Sequence, residues 1–147
     1  MNTQLARSYE KADLAEMFLP IGEMLQTDRV VHVQDGNIVS EKRISPNDWI
    51  FALHLPNDPI FPGCLLIEGA GQLMAIWAWH SGLRGNPRLV KVSAEFKSPV
   101  LPSDECITYK GELKKRNNIV IGRVEISVHG RYVGAMEGSL IVLRKPQ

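Results

Sequence analysis

The spacing of hydrophobic residues changes several times along the chain, and each change predicts a different element. Near the start, Leu14, Met17 and Phe18 fall on one side of a helical projection. This spacing predicts a helix from Tyr9 to Phe18, which Pro20 would end because proline cannot continue a helix.

A strand pattern follows this first segment. Val31 and Val33 alternate with polar neighbours, and Asp-Gly-Asn at 35–37 supplies turn chemistry before a second strand over Ile38–Ile44. The two strands are predicted to form a hairpin. The next segment, Pro46–Pro62, contains several prolines and has no clear period, and such long irregular segments inside compact domains are usually functional.

The segment from Cys64 to Trp79 is apolar on nearly every side, which predicts a helix enclosed by the rest of the fold. It is shorter than the ~20 residues that cross a bilayer. It also carries Glu68 and Gln72, and a carboxylate is costly inside a membrane. We therefore interpret it as the buried helix of a soluble protein, without membrane insertion.

Four long strands are predicted after this helix. Turn residues separate them, and their order with the preceding elements indicates one α+β domain over residues 1–147, an antiparallel sheet wrapped around a central helix. The four segments are Arg88–Phe96, Glu105–Lys115, Ile119–His129 and Tyr132–Leu143.

Composition narrows the function classes. The chain has 17 basic and 16 acidic side chains, a net charge of +1, which gives no general attraction to nucleic acid or membranes. Cys64 and Cys106 form no CxxC pair, so the sequence predicts neither a metal site nor a redox motif. The first residues are polar and lack the apolar core of a secretory signal, so a cytoplasmic location with reduced thiols is expected.

One short segment brings together the residue types that acid–base chemistry needs. His54 lies on the proline-rich approach, Pro62-Gly63 opens the apolar helix, and Glu68 lies roughly one and a half turns inside it. Gln72 follows Glu68 by four residues, so the two side chains share one side of the helix.

These groups predict an elimination reaction. Histidine titrates near neutral pH and can remove a proton beside a carbonyl. Loss of hydration favours the protonated form of a carboxyl group such as Glu68, which can then donate to a leaving hydroxyl. The free N–H groups of Gly63 and Cys64 at the helix start can stabilise an enolate oxygen. Together they fit removal of water across the C2–C3 bond of an acyl thioester.

The segment resembles the FabA/FabZ family of 3-hydroxyacyl-acyl-carrier-protein dehydratases. The resemblance is carried by His54, the run Asp-Pro-Ile-Phe-Pro-Gly at 58–63, Glu68 and Gln72, with the family's spacing of 14 residues between histidine and carboxylate. The similarity extends over about residues 20–143, including Ala94–Asp104 before the next strand and Val133–Leu143 at the end.

The resemblance implies a hot-dog fold that forms a homodimer or an assembly of dimers. It implies that the His54 of one protomer meets the Glu68 of the other, with Gln72 in support and Phe61 and Pro62 beside the substrate. The acyl chain would enter a tunnel on the phosphopantetheine arm of acyl carrier protein, and no cofactor or metal is implied. Basic residues after the helix are candidates for docking this acidic partner: Arg84, Arg88, Lys91 and Lys97.

Other interpretations of the same residues remain open. A histidine beside a proline-rich loop is often structural, a glutamate in an apolar helix often pairs with a basic residue, and Gln72 suits an ordinary helix hydrogen bond. A hot-dog thioesterase would use Glu68 to activate water. Leu53 and Leu55, where the family commonly has other residues beside the histidine, are compatible with a non-catalytic subunit that binds acyl carrier protein.

Overall fold

The strands form one seven-stranded antiparallel sheet in the computed structural model, which describes residues 6–144. The sheet order is β1-β2-β3-β5-β6-β7-β4, and every neighbouring pair is antiparallel. The ends of the domain predicted over residues 1–147 lie outside the described residues. The strands are β1 (Arg7–Glu10), β2 (Arg29–Gln34), β3 (Asn37–Arg43), β4 (Asn86–Phe96), β5 (Cys106–Arg116), β6 (Ile119–Val128) and β7 (Arg131–Leu143).

The predicted apolar helix is confirmed as α2 (Gly63–His80), which packs on the sheet against β3 to β7. Leu73, Met74 and Ile76 on this helix are fully buried. Burial on several sides explains why the sequence is apolar nearly all round. No helix among residues 6–144 has the length and apolar character needed to cross a membrane. The helix and the strands together confirm the α+β hot-dog fold.

Glycine lets α2 approach the sheet closely at one point. A Cβ atom added to Gly69 would lie 2.4 Å from the hydroxyl oxygen of Tyr109 on β5, which is closer than van der Waals contact permits. Tyr109 is completely buried, so its ring has little space into which to move. Gly71, one half-turn further on, faces a looser environment, where an added Cβ would lie 3.5 Å from Leu89.

This difference predicts opposite effects for two identical substitutions in one helix. We expect Gly69→Ala to lower the free energy of unfolding by about 1–3 kcal/mol, because overpacking against Tyr109 outweighs the better helix propensity of alanine. Gly71→Ala should be neutral or stabilising by up to about 1 kcal/mol. Denaturant unfolding at one protein concentration measures both, and equal stability of the two variants would contradict the tight contact at Gly69.

The first predicted helix is wrong in part. Residues 7–10 form β1, and a short 3-10 helix over Lys11–Glu16 replaces the α-helix expected from Tyr9 to Phe18. The Asp13 carboxylate accepts the backbone N–H of Glu10 at 2.8 Å, which favours a tight turn here. Tyr9 pairs with β2 and its ring meets Trp79 edge-on, so tertiary contacts select the strand.

The predicted hairpin of β2 and β3 is confirmed, but the alternation within β2 differs. Val30 and Val33 are both fully buried, whereas Val31 is 37% exposed. The register of the pair shifts between Val30 and His32, which marks a β-bulge. The extra residue reverses the side-chain alternation, so Val31 faces outward although Val33, two residues later, is buried.

The segment from Pro46 to Pro62 also contains an element that the sequence did not predict. Trp49–His54 forms a short helix, α1, with Ile50 and Phe51 buried beneath it. Six residues are too few for a hydrophobic period to stand out. On its outer side α1 exposes Leu53, which is 75% accessible.

Strand β4 differs from the other long strands because, among residues 6–144, it is an edge strand and pairs with β7 alone. Every residue from Arg88 to Phe96 is exposed. The exposed side chains include Leu89, Val90 and Val92. A long apolar edge with unpaired backbone groups is ready to pair with another strand.

Candidate active site

His54 is the last residue of α1, and a backbone group holds its ring in one orientation. Its Nδ1 atom lies 3.0 Å from the carbonyl oxygen of Ile60. A carbonyl only accepts hydrogen bonds, so Nδ1 carries the proton and donates it, and Nε2 keeps a lone pair. The neutral ring is therefore in the tautomer that a general base at Nε2 requires.

Glu68 is held by the glutamine one turn further along α2. The side-chain amide of Gln72 donates to Oε2 of Glu68 at 2.6 Å. Among the ion pairs formed by residues 6–144, none includes Glu68, and its nearest described partner is therefore neutral.

Gln72 also connects Glu68 to a segment far away in sequence. Gln72 is buried, its Oε1 accepts the backbone N–H of Gln26 at 2.7 Å, and its Nε2 donates to the carbonyl oxygen of Met24 at 2.9 Å. Both ends of the amide are satisfied, which fixes which atom is oxygen and which is nitrogen. These hydrogen bonds fix the orientation of the Gln72 side-chain amide, with its Nε2 directed toward Glu68.

A cavity of about 500 Å³ opens beside Glu68. Glu68, Gly71, Gln72 and Ala75 form its floor, and these positions share one face of α2. Among the described residues of the lining, Glu68 is the one that is ionisable. The remaining walls come from Met17–Pro20, the start of β4, and β7. The volume is within the range of small-ligand sites.

The start of α2 has the free N–H groups that an oxyanion site needs. The first helical donors with a partner are Leu65 and Leu66, both to the carbonyl oxygen of Pro62, so Gly63 and Cys64 precede them. Cys64 is exposed. Phe96 covers Gly63 so closely that an added Cβ would lie 3.0 Å from its ring.

Phe61 and Pro62, expected beside the substrate, are both buried at this helix start. Phe61 stacks edge-on with Phe51 at 6.2 Å, and its N–H donates to the carbonyl oxygen of Val100. Phe61 also lines a second cavity, of about 340 Å³, together with Gly63 and Phe96. Pro62 takes the N-cap position with extended backbone angles, so it sets the direction in which α2 begins.

The structure brings some of the predicted site residues together and leaves others apart. Glu68 and Gln72 are in contact, and His54 lies beside Ile60 just before the helix start. His54 does not line the cavity of Glu68, and no hydrogen bond among residues 6–144 joins the two. Within the described part of one chain, His54 and Glu68 are therefore not in direct hydrogen-bond contact.

The four basic residues considered for docking divide into two pairs. The guanidinium of Arg84 stacks on Trp79 at 3.8 Å, and Lys97 forms an ion pair with Glu95. Arg88 donates to the neighbouring carbonyl oxygen of Pro87, at 3.2 Å. Both Arg88 and Lys91 are exposed on the β4 edge. Neither of these two forms an ion pair with another residue in the described part of the chain.

Sequence reasoning missed three contributors to the site. The backbone groups of Met24 and Gln26 hold Gln72, and a backbone contact leaves no mark on residue identity. Tyr109 lies beneath Gly69, and its pKa is raised by burial and by the negative charge of Glu68. No pattern within the local sequence connects Tyr109 to the helix.

Several solved structures share this fold. The dehydratase heterocomplex ApeI:P from Xenorhabdus doucetiae aligns with a TM-score of 0.71 and 18% identity, covering 88% of this chain and 91% of that chain. The PaaI protein of E. coli, from a phenylacetic acid degradation operon, aligns with a TM-score of 0.62 and 14% identity over 76% and 80% of the two chains.

A hypothetical thioesterase from Streptococcus pneumoniae, solved with coenzyme A, gives a TM-score of 0.62 at 16% identity and covers 80% and 87%. At such low identity these likenesses establish the fold alone, and they include both a dehydratase complex and a thioesterase. The sequence itself matches the FabA-like domain over residues 19–137, which is most of the chain. This chain therefore belongs to the FabA-like domain family.

Proposed function

We propose that the protein is a dehydratase that removes water from a 3-hydroxyacyl thioester carried by acyl carrier protein, with His54 as the base and Glu68 as the acid. The observation that carries the proposal is the setting of Glu68, which is the one ionisable side chain among the described residues that line its cavity and is oriented by Gln72. A carboxyl group held in one orientation at a cavity can reach the hydroxyl of a bound substrate.

The reaction balances with these groups alone. Nε2 of His54 takes the proton from C2, and the electrons of that C–H bond form the C2=C3 double bond as the C3–O bond breaks. Glu68 gives its proton to the departing hydroxyl, which leaves as water. The products are the trans-2-enoyl thioester, protonated His54 and ionised Glu68, and a proton returns from the histidine to the carboxylate through solvent.

The helix start supplies the third component. The N–H groups of Gly63 and Cys64 would bind the thioester oxygen, where negative charge develops as the C2 proton leaves. The phosphopantetheine arm would approach through the cavity that Phe61, Gly63 and Phe96 line. Arg88 and Lys91 are exposed on β4, and their positive charges would attract the acidic surface of acyl carrier protein.

The separation of His54 from Glu68 within one protomer supports a site shared by two copies of the chain. Antiparallel pairing of β4 with β4 of a second copy would cover the exposed apolar edge. It would continue the sheet across the dimer. In this arrangement His54 of one protomer serves Glu68 of its partner.

One assay separates this function from its alternatives. The purified protein is incubated with 3-hydroxyacyl and with 2-enoyl thioesters, and the mass of the products is followed. Reversible loss of one water supports the dehydratase. Release of the free acid would support a thioesterase in which Glu68 activates water, and unchanged substrates would support a non-catalytic subunit.

The β4 edge gives an independent test of the shared site. We expect the double variant Val90→Lys/Val92→Lys to become monomeric and to lose nearly all dehydration, because charges along an edge strand oppose pairing. Light scattering coupled to size exclusion measures the mass. Ile121→Lys is the matched control, since Ile121 is 40% exposed and Val92 39%, but Ile121 lies on the internal strand β6. A double variant that stays dimeric would place the interface elsewhere.

A further inference from the structure

The β4–β5 connection, residues 97–105, contributes to the cavity at the start of α2. Its residues 97–100 line this cavity together with Gly63. Val100 is fully buried, and its carbonyl oxygen accepts the N–H of Phe61 at 2.9 Å. The position of the connection therefore bears on the backbone just before the helix start.

One peptide group joins this hydrogen bond to the proposed base. The N–H of Phe61 and the carbonyl of Ile60 belong to the same planar peptide unit. Its N–H donates to Val100, and its oxygen lies 3.0 Å from Nδ1 of His54. A displacement of Val100 would tilt the whole unit, because a planar peptide moves as one body. The hydrogen bond that selects the tautomer of His54 would then weaken.

A single arginine holds the β4–β5 connection on both sides of Val100. The guanidinium of Arg131, at the start of β7, donates from Nη1 to the hydroxyl oxygen of Ser98 at 2.9 Å and to the carbonyl oxygen of Pro99 at 2.8 Å. Its Nη2 donates to Oδ2 of Asp104 at 2.8 Å. The Asp104 side chain is only 15% exposed, so water competes little for this ion pair. A planar guanidinium can hold these three acceptors at fixed angles.

We infer that Arg131 is a positioning residue for His54, acting through the β4–β5 connection and the peptide between Ile60 and Phe61. The inference rests on the proposed dehydratase function. The Arg131 side chain is 40% exposed, and an ion pair of this kind contributes little to stability. A large effect on turnover with a small effect on unfolding therefore distinguishes positioning from stabilisation.

The hydrogen bonds of Arg131 predict a loss of turnover when they are removed. We expect Arg131→Met to lower kcat/KM for 3-hydroxyacyl thioesters by about 10–100-fold, because a small displacement of a catalytic base is enough for such a loss. Arg131→Lys keeps the charge but not the planar fork, so its turnover should be intermediate. Arg123→Met is the matched control. The Arg123 side chain is 44% exposed and pairs with Glu125 and Glu137, both within the sheet, so wild-type turnover is expected.

The tautomer of His54 gives a second readout that does not require turnover. Nitrogen chemical shifts of the imidazole ring distinguish the Nδ1–H form from the Nε2–H form at a pH where the ring is neutral, and His54→Ala identifies the resonances. The wild-type protein and Arg123→Met should contain the Nδ1–H form. Arg131→Met should contain a mixture of both forms, because the acceptor at Ile60 is no longer held in place.

Each outcome of these measurements decides one of the two proposals. A pure Nδ1–H form in Arg131→Met would overturn the role of Arg131, and so would turnover equal to that of Arg123→Met. If the thermal midpoint shows that Arg131→Met unfolds, Arg131→Lys decides by the same two measurements. If the wild-type protein dehydrates no thioester, the dehydratase proposal fails, and the tautomer measurement still tests Arg131.

Discussion

Glu68→Gln is expected to lower the turnover of 3-hydroxyacyl thioesters by about 10²–10⁴-fold, the range for loss of a general acid. Glutamine has nearly the shape of glutamate but has no proton of suitable acidity to give to a leaving hydroxyl. Its side-chain oxygen can still accept the hydrogen bond from Gln72, which spans 2.6 Å in the native protein. The cavity and the fold should therefore persist.

The controls for this variant address geometry and stability. Glu68→Asp keeps the acid but moves it back by one methylene, so partial activity is expected. The thermal midpoint of each variant is compared with that of the wild type to exclude unfolding. Near-normal dehydration by Glu68→Gln would remove Glu68 from the mechanism, whatever its surroundings.

His54→Ala is expected to cause a loss of similar size, and mixing it with Glu68→Gln should restore activity. If each site takes His54 from one protomer and Glu68 from the other, a mixed dimer contains one site with both native residues. Random exchange of subunits then gives about a quarter of wild-type turnover from two nearly inactive proteins. Turnover is measured before and after the two variants are unfolded together and refolded.

The outcome depends on where the two residues meet. If His54 and Glu68 act within one protomer, every site in a mixed dimer lacks one of them and activity stays low. That result would leave the dehydratase assignment intact but reject the shared site. The His54→Ala variant alone, unfolded and refolded in the same way, controls for the procedure.

Long periodic elements were predictable, and the short helices were not. The limits expected for the apolar helix, Cys64–Trp79, differ by one residue at each end from those of α2, and the four late strands were all found. These elements bury many side chains, so packing and local pattern agree. The helix predicted from Tyr9 to Phe18 is wrong in part because the pairing of β1 with β2 and the turn held by Asp13 override a weak helical spacing.

The candidate site shows the same division. His54, Glu68 and Gln72 could be selected from the sequence because the proposed chemistry requires particular residue types at fixed spacing. The partners that orient them are the carbonyl of Ile60 and the backbone of residues 24 and 26, for which any residue would serve. Backbone partners depend on tertiary structure alone, so only the structure identifies them.

The free edge of β4 also bears on how this chain selects its partner. Main-chain groups along an edge are the same in every protein, so they cannot distinguish a second copy from a different subunit with the same fold. Discrimination must come from the side chains that flank the edge, among them Val90, Lys91 and Val92. A few substitutions there would be enough to convert a self-pairing chain into one that accepts a related subunit, and each would preserve the sheet.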